Sequence, residues 1–93
     1  MALVPLLNIE MRSARAAEKV PVDDPTAKAL KYVEDATQAQ RVEKMGVAAD
    51  QQFCDNCIFY TTAAEADGYG PCTIFANRLV TKKGWCAGWT PKQ

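Results

Sequence analysis

Four cysteines carry the soft metal-binding chemistry of this 93-residue chain: Cys54, Cys57, Cys72 and Cys86. The chain has no histidine, so any soft-metal site must be built from these thiols. Cys54 and Cys57 form a C-x2-C pair whose sulfurs can turn toward one centre. Cys72 follows after fourteen residues and Cys86 after thirteen more, loops long enough to bring two further sulfurs to the same place. Seven of the eight aromatic residues lie in the same region: Phe53, Phe59, Tyr60, Tyr69, Phe75, Trp85 and Trp89. Each cysteine therefore stands within three residues of a large ring. Four thiolates inside an aromatic shell suggest a cofactor that must be held and kept from water.

Three identities compete for the cysteines. Zinc accepts four thiolates tetrahedrally, but ribbons and fingers of that type usually supply two close pairs, and the second pair is absent. Such a zinc module would be structural or binding rather than redox-active. Two disulfides would suit a small exported domain. A Cys54–Cys57 bridge, however, closes a tight loop of the kind used in redox catalysis. An iron–sulfur cluster is the third. The spacing is neither the compact bacterial ferredoxin run nor the plant-type one. Four thiolates on a four-iron cubane give a complex that is singly, doubly or triply negative according to redox state. An apolar shell disfavours the more charged state of each couple. Aromatic burial then leaves the less charged couple as the working one, at the high end of the cluster range. This reading uses cysteines, rings and small size together.

The rest of the chain must position these residues. At this length it makes one domain with a thin core, and such domains often need a staple of disulfides or metal. Eleven basic and eleven acidic residues give zero net charge with mixed signs. That excludes the basic stripe of a nucleic-acid binder. No apolar run approaches a membrane span. Glu65 and Asp67 lack the pocket and third group of an acid–base pair, so no enzyme is visible.

Residues 1–20 read as a separate arm. The short apolar run Ala2–Leu7 is broken by Pro5, and Ala14-Arg15-Ala16 fits the small-x-small pattern before a cleavage point. The arm is either the stub of an export signal, with the mature chain starting near Ala17, or a native segment, helical over 7–17. Residues 21–93 form the cysteine domain. Asp23 or Asp24 can cap a helix with Pro25 at its first position, and Ala27, Leu30, Tyr32 and Val33 extend the pattern over about 25–36. A second helical stretch is expected over 38–45, ended by Gly46. A short turn is expected over residues 48–51. Asp67-Gly68-Tyr69-Gly70-Pro71 signals a turn. Leu79, Val80 and Thr81 are strand-prone, Lys82-Lys83-Gly84 suggests a hairpin turn, and Thr73–Phe75 can pair nearby. A small twisted sheet of two or three strands is expected. Asp55 and Asn56, between the first two cysteines, read as solvated loop.

With these pieces in place, the chain resembles the high-potential iron–sulfur proteins, small exported electron carriers of purple bacteria. The resemblance is carried by Ala29-Leu30-Lys31-Tyr32, the Cys54-x2-Cys57 pair, Cys72-Thr73-Ile74-Phe75, and Gly84-Trp85-Cys86-Ala87-Gly88-Trp89. It implies a small, loop-rich α+β domain with short helices and a small antiparallel sheet around one [4Fe–4S] cluster. Cys54, Cys57, Cys72 and Cys86 would ligate it. Tyr32 would pack against it, and Phe75, Trp85 and Trp89 would form its apolar cage, joined by Phe59 and Tyr69. Gly84 would allow a close backbone turn before Cys86, and a few backbone N–H groups would donate to the sulfurs. The implied function is that of a monomeric one-electron carrier, not an enzyme, using the 3+/2+ couple in the periplasm. Its electrons would pass from a cytochrome bc1 complex to a photosynthetic reaction-centre cytochrome or a terminal oxidase. Two departures stand out. Some members of that family have serine where Gly88 stands, and the lost hydrogen bond should lower the potential. The arm before Ala17 has no counterpart in mature members, and no twin-arginine signal is visible.

Overall fold

In the computed structural model, which describes residues 18–92, the fold begins with a capped helix and an early stop. Helix α1, Pro25–Ala29, follows Asp24, whose carboxylate accepts from the N–H groups of Thr26 (3.0 Å) and Ala27 (3.2 Å). Pro25 occupies the first turn, where its missing N–H leaves nothing unsatisfied. The helix was expected to run to residue 36, but Lys31 takes a left-handed conformation (φ 56°) and ends it. Tyr32 N–H then donates to Ala27 O (2.9 Å) and Lys31 N–H to Lys28 O (3.2 Å), a Schellman closure with lysine in the place glycine usually fills. A left-handed non-glycine residue costs about 1–2 kcal/mol. What it achieves is placement. Tyr32 turns into the core, and Val33 pairs with Trp85 through two backbone bonds (2.9 and 3.1 Å).

The second expected helix, over 38–45, is also absent. A single 3-10 turn, Ala36–Gln38, is capped by Asp35, and extended chain follows. Gly46 belongs instead to a two-residue hairpin turn with Met45, both at positive φ, closed by reciprocal Lys44–Val47 bonds. The turn expected at 48–51 is the 3-10 turn Ala49–Gln51.

Strands β1, Tyr69–Cys72, and β2, Arg78–Thr81, form a two-stranded antiparallel sheet, with Gly70 opposite Val80 and Cys72 opposite Arg78. The Asp67-Gly68 pair forms the turn before β1, with φ of 55° and 82° and reciprocal Ala66–Tyr69 bonds. Thr73–Phe75, expected as strand, is a 3-10 turn in the β1–β2 connection. Ala76 and Asn77 complete that connection in left-handed conformations, and Asn77 N–H donates back to Cys72 O (2.9 Å). Lys82 and Lys83 do form a turn, but it leads to the Cys86 segment rather than to a third strand.

Glu18–Val20, the end of the expected arm, lie beside β2: Val20 N–H donates to Leu79 O and Leu79 N–H to Glu18 O (2.8 and 2.7 Å). Val20 is buried. The signal-stub and helix expectations for 1–17 fall outside the described residues.

Asp24 also joins the two halves of the domain. Its carboxylate takes two bonds from the Arg78 guanidinium (2.9 and 3.3 Å). The hydrogen bond to Arg78 and the helix N–H donors hold the Asp24 carboxyl below its usual range, against a smaller opposing effect of burial. A depressed carboxyl stabilises the fold above its unfolded pKa, and the contribution is lost as pH falls through the folded value. Asp24→Asn keeps a capping side chain but loses the charge. Thermal melts should show it less stable than the parent near neutrality, with the gap closing as pH falls below about 4. A gap that persists undiminished in acid would contradict this role for the charge.

Candidate metal centre

All four cysteines are free, buried, and on the wall of one cavity. Backbone seams bring them together. The 3-10 turn Cys54–Asn56 is held against the Gly84 region, with Cys54 N–H donating to Gly84 O (2.8 Å) and Asp55 N–H to Lys82 O (3.1 Å). Beyond it, Ile58 N–H donates to Thr90 O (2.8 Å), tying the Cys57 strand of chain to the stretch after Cys86. Tyr60 bridges to Cys72, flanked by Thr61 N–H to Pro71 O (2.9 Å) and Thr73 N–H to Phe59 O (3.0 Å). Gly84 permits a close backbone approach beside the Cys54 turn. A Cβ there would lie 2.6 Å from Val33 O, inside van der Waals contact with rigid backbone.

The remaining wall is Tyr60, Ile74, Phe75, Val80 and Trp89. Of the rings expected to cage the cofactor, Phe75 and Trp89 stand on this wall, and Tyr32, Phe59, Tyr69 and Trp85 do not. Tyr32 sits one ring back, 5.6 Å from Phe75 between centroids, with its hydroxyl oxygen accepting from Thr81 N–H (3.0 Å). Burial pushes the Tyr32 phenol well above its usual range, so it stays neutral. Tyr69 is turned away because side chains alternate along a strand. Gly70 and Cys72 face inward, and the Tyr69 ring lies half-exposed beneath the Lys19 ammonium (4.2 Å). Phe59 is half-buried against the outside of the core. Trp85 lines an outer groove with Lys31, Val33 and Ala87.

Tyr60, Ile74 and Val80 were not anticipated at the site. The signal for Tyr60 lies in Gly70: a Cβ on Gly70 would collide with the Tyr60 ring, so the glycine makes room for a wall residue. The Tyr60 hydroxyl reaches past it to donate to Glu65 (2.8 Å).

Two polar side chains hold the shell together. Gln52 is 1% exposed, and its amide is fully used. Its Nε2 donates to Val42 O and Val47 O (2.7 and 3.1 Å), and its Oε1 accepts from Trp85 Nε1 (3.0 Å). Leaving such groups unpaired costs about 1–3 kcal/mol. Asn56, expected as solvated loop, is a structural hub despite its exposure. Its Oδ1 accepts from Phe53 N–H (3.1 Å) and Trp89 Nε1 (2.9 Å), and its Nδ2 donates to Gln51 O (2.7 Å).

The donor set fits a cluster. Burial raises the pKa of the Cys54 thiol, and the neighbouring sulfurs of Cys86, Cys72 and Cys57 raise it further. Burial likewise raises Cys72, although the N–H groups of Ile74 and Phe75 oppose it. Burial pushes Cys86 up to about 11, with Gly88 N–H opposing. Thiols so placed become thiolates together only around a strongly positive centre. A cubane, in which each thiolate takes its own iron, would use all four sulfurs on this one cavity wall.

Comparison with known proteins agrees with this geometry. A sequence model of the family described as high potential iron-sulfur protein matches residues 19–93. The chain is 37% identical over 99 residues to the high-potential iron–sulfur protein of Allochromatium vinosum, covering 98% of this chain and 81% of that one. It is 45% identical over 74 residues to that of Halochromatium salexigens, covering 77% and 89%. Among solved structures, the oxidized high-potential iron–sulfur protein isolated from Ectothiorhodospira vacuolata matches with a TM-score of 0.65 and 39% identity. That match covers 81% of this chain and 99% of the other. The chain belongs to the high-potential iron–sulfur protein family, small electron carriers that hold a [4Fe–4S] cluster.

Proposed function

We propose that this protein is a periplasmic one-electron carrier working in the 3+/2+ couple, with Cys54, Cys57, Cys72 and Cys86 as the cluster ligands. The carrying observation is the shared cavity of four buried sulfurs, walled by Tyr60, Ile74, Phe75, Val80 and Trp89. The cluster supplies reversible one-electron exchange; the chain sets its range and guards it. An apolar wall disfavours the more charged member of a couple, which supports the less charged pair of states. Against this, three backbone N–H groups face sulfurs: those of Ile74 and Phe75 at Cys72, and that of Gly88 at Cys86. Gly88 brings no hydroxyl to add to them. Trp89 and Phe75 are almost fully buried and keep water from the centre.

Partners follow from the same reading. The donor is a bc1-type complex, and the acceptor a photosynthetic reaction-centre cytochrome or a terminal oxidase. No helix among the described residues is long and apolar enough to cross a membrane. Zero net charge argues for encounter with little electrostatic steering. Fractionation of the native host should place the protein with periplasmic markers, and co-purification with cytoplasm would contradict that location.

An optical and EPR redox titration tests the couple. The purified protein should be EPR-silent when reduced and give a signal of average g above 2 on oxidation at positive potential. A paramagnetic reduced state, formed only at strongly negative potential, would replace this couple with the more reduced one.

A further inference from the structure

The loop 41–47 is strapped to the cysteine shell from outside. Arg41 donates to Gln52 O (2.8 Å), and Gln52 binds back to Val42 and Val47. The Met45–Gly46 turn, closed by the reciprocal Lys44–Val47 bonds, fixes the stem from which one cation points inward. Lys44 Nζ donates to the backbone carbonyl of Trp89 at 2.7 Å in a partly buried position. Trp89 is 1% exposed, stands on the cavity wall, and donates its own N–H to Cys86 O (3.0 Å).

Two other cations are ion-paired, Arg78 with Asp24 and Lys82 with Glu65, and Arg41 lies over the Phe53 ring. Among the described residues Lys44 makes no ion pair. Its positive charge is held behind the wall on the Cys86 side, while Asp55 brings a negative one to the Cys54 side.

We propose that Lys44 sets the reduction potential, its ammonium fixed on the Trp89 carbonyl so as to favour the reduced cluster over the oxidised one. The reduced state carries one more negative charge, and a fixed cation nearby lowers its energy more. Partial burial of the Lys44–Trp89 contact weakens its screening by solvent ions. This inference rests on the four cysteines holding the cluster, and it holds for whichever couple is used.

Lys44→Gln keeps a hydrogen-bond donor and loses the charge, whereas Lys44→Arg keeps the charge. Lys44→Met serves as a second neutral variant should the glutamine protein fail to assemble. Spectroelectrochemical titration of the cluster-loaded proteins at low ionic strength reads the effect directly. At one ambient potential, the oxidised-to-reduced ratio should rise about two- to tenfold in Lys44→Gln and at least as far in Lys44→Met. Lys44→Arg should stay near the parent. An unshifted midpoint in both neutral variants overturns the proposal. So does an arginine variant that shifts as far as the glutamine one, because that marks a packing effect. Iron and sulfide are assayed in the same samples. A parent without cluster removes the cofactor reading itself, whereas fully loaded variants with unshifted midpoints remove only the role of Lys44.

Discussion

Four cysteine sulfurs turned away from water are the constraint on which the rest of this structure depends. A buried thiol resists losing its proton, and each neighbouring sulfur charge makes the loss harder, as the raised pKa of Cys54 shows. Four thiolates can share that space only around a centre of high positive charge. The apolar wall around it is buried, and such surroundings disfavour the more charged states of any centre they hold. Core and cofactor site are therefore one object. The four cysteines belong to the same buried cluster as Val20, Tyr32, Phe75, Val80 and Trp89.

Little regular structure supports this arrangement. Among the described residues, one five-residue helix and a two-stranded sheet are joined by 3-10 turns and isolated backbone pairings. Lys31, Met45, Asp67, Ala76 and Asn77 all take left-handed conformations without being glycine. Each such residue is unfavourable alone. They persist because each aims a segment at the core: Lys31 delivers Tyr32, and Ala76 with Asn77 returns the chain after Cys72. The polar side chains of Gln52 and Asn56 then fasten the two tryptophans from behind.

The identity of the centre was largely legible in the sequence, because ligand type and spacing are chemistry written along the chain. The absence of histidine and the C-x2-C pair pointed to a four-thiol centre, the aromatic surroundings favoured a cluster, and the Gly-Trp-Cys segment carried the family resemblance. The cage was legible only as a composition. Ring content predicted an aromatic shell but not which rings face inward, since that depends on register. Strand alternation turns Tyr69 out, and the Gly70 gap lets Tyr60 in. The helix over 25–36 failed for a related reason. Helical periodicity continues through Tyr32 and Val33, but pairing of Val33 with Trp85 outweighs local propensity. The roles of Asn56, Gln52 and Lys44 were invisible because the tryptophans they bind are 33 to 45 residues away.

Removal of the metal tests the central claim most directly. Iron and sulfide are counted per chain, and near-ultraviolet circular dichroism and tryptophan emission are followed as a chelator strips the protein under reducing conditions. If the cluster is the core, about four irons and four sulfides per chain are found. Their loss should then abolish tertiary structure in step with the brown colour. A stripped chain that keeps its native tryptophan environment and melts cooperatively would show that the fold stands without the centre. A colourless protein holding a single zinc would contradict the cluster outright.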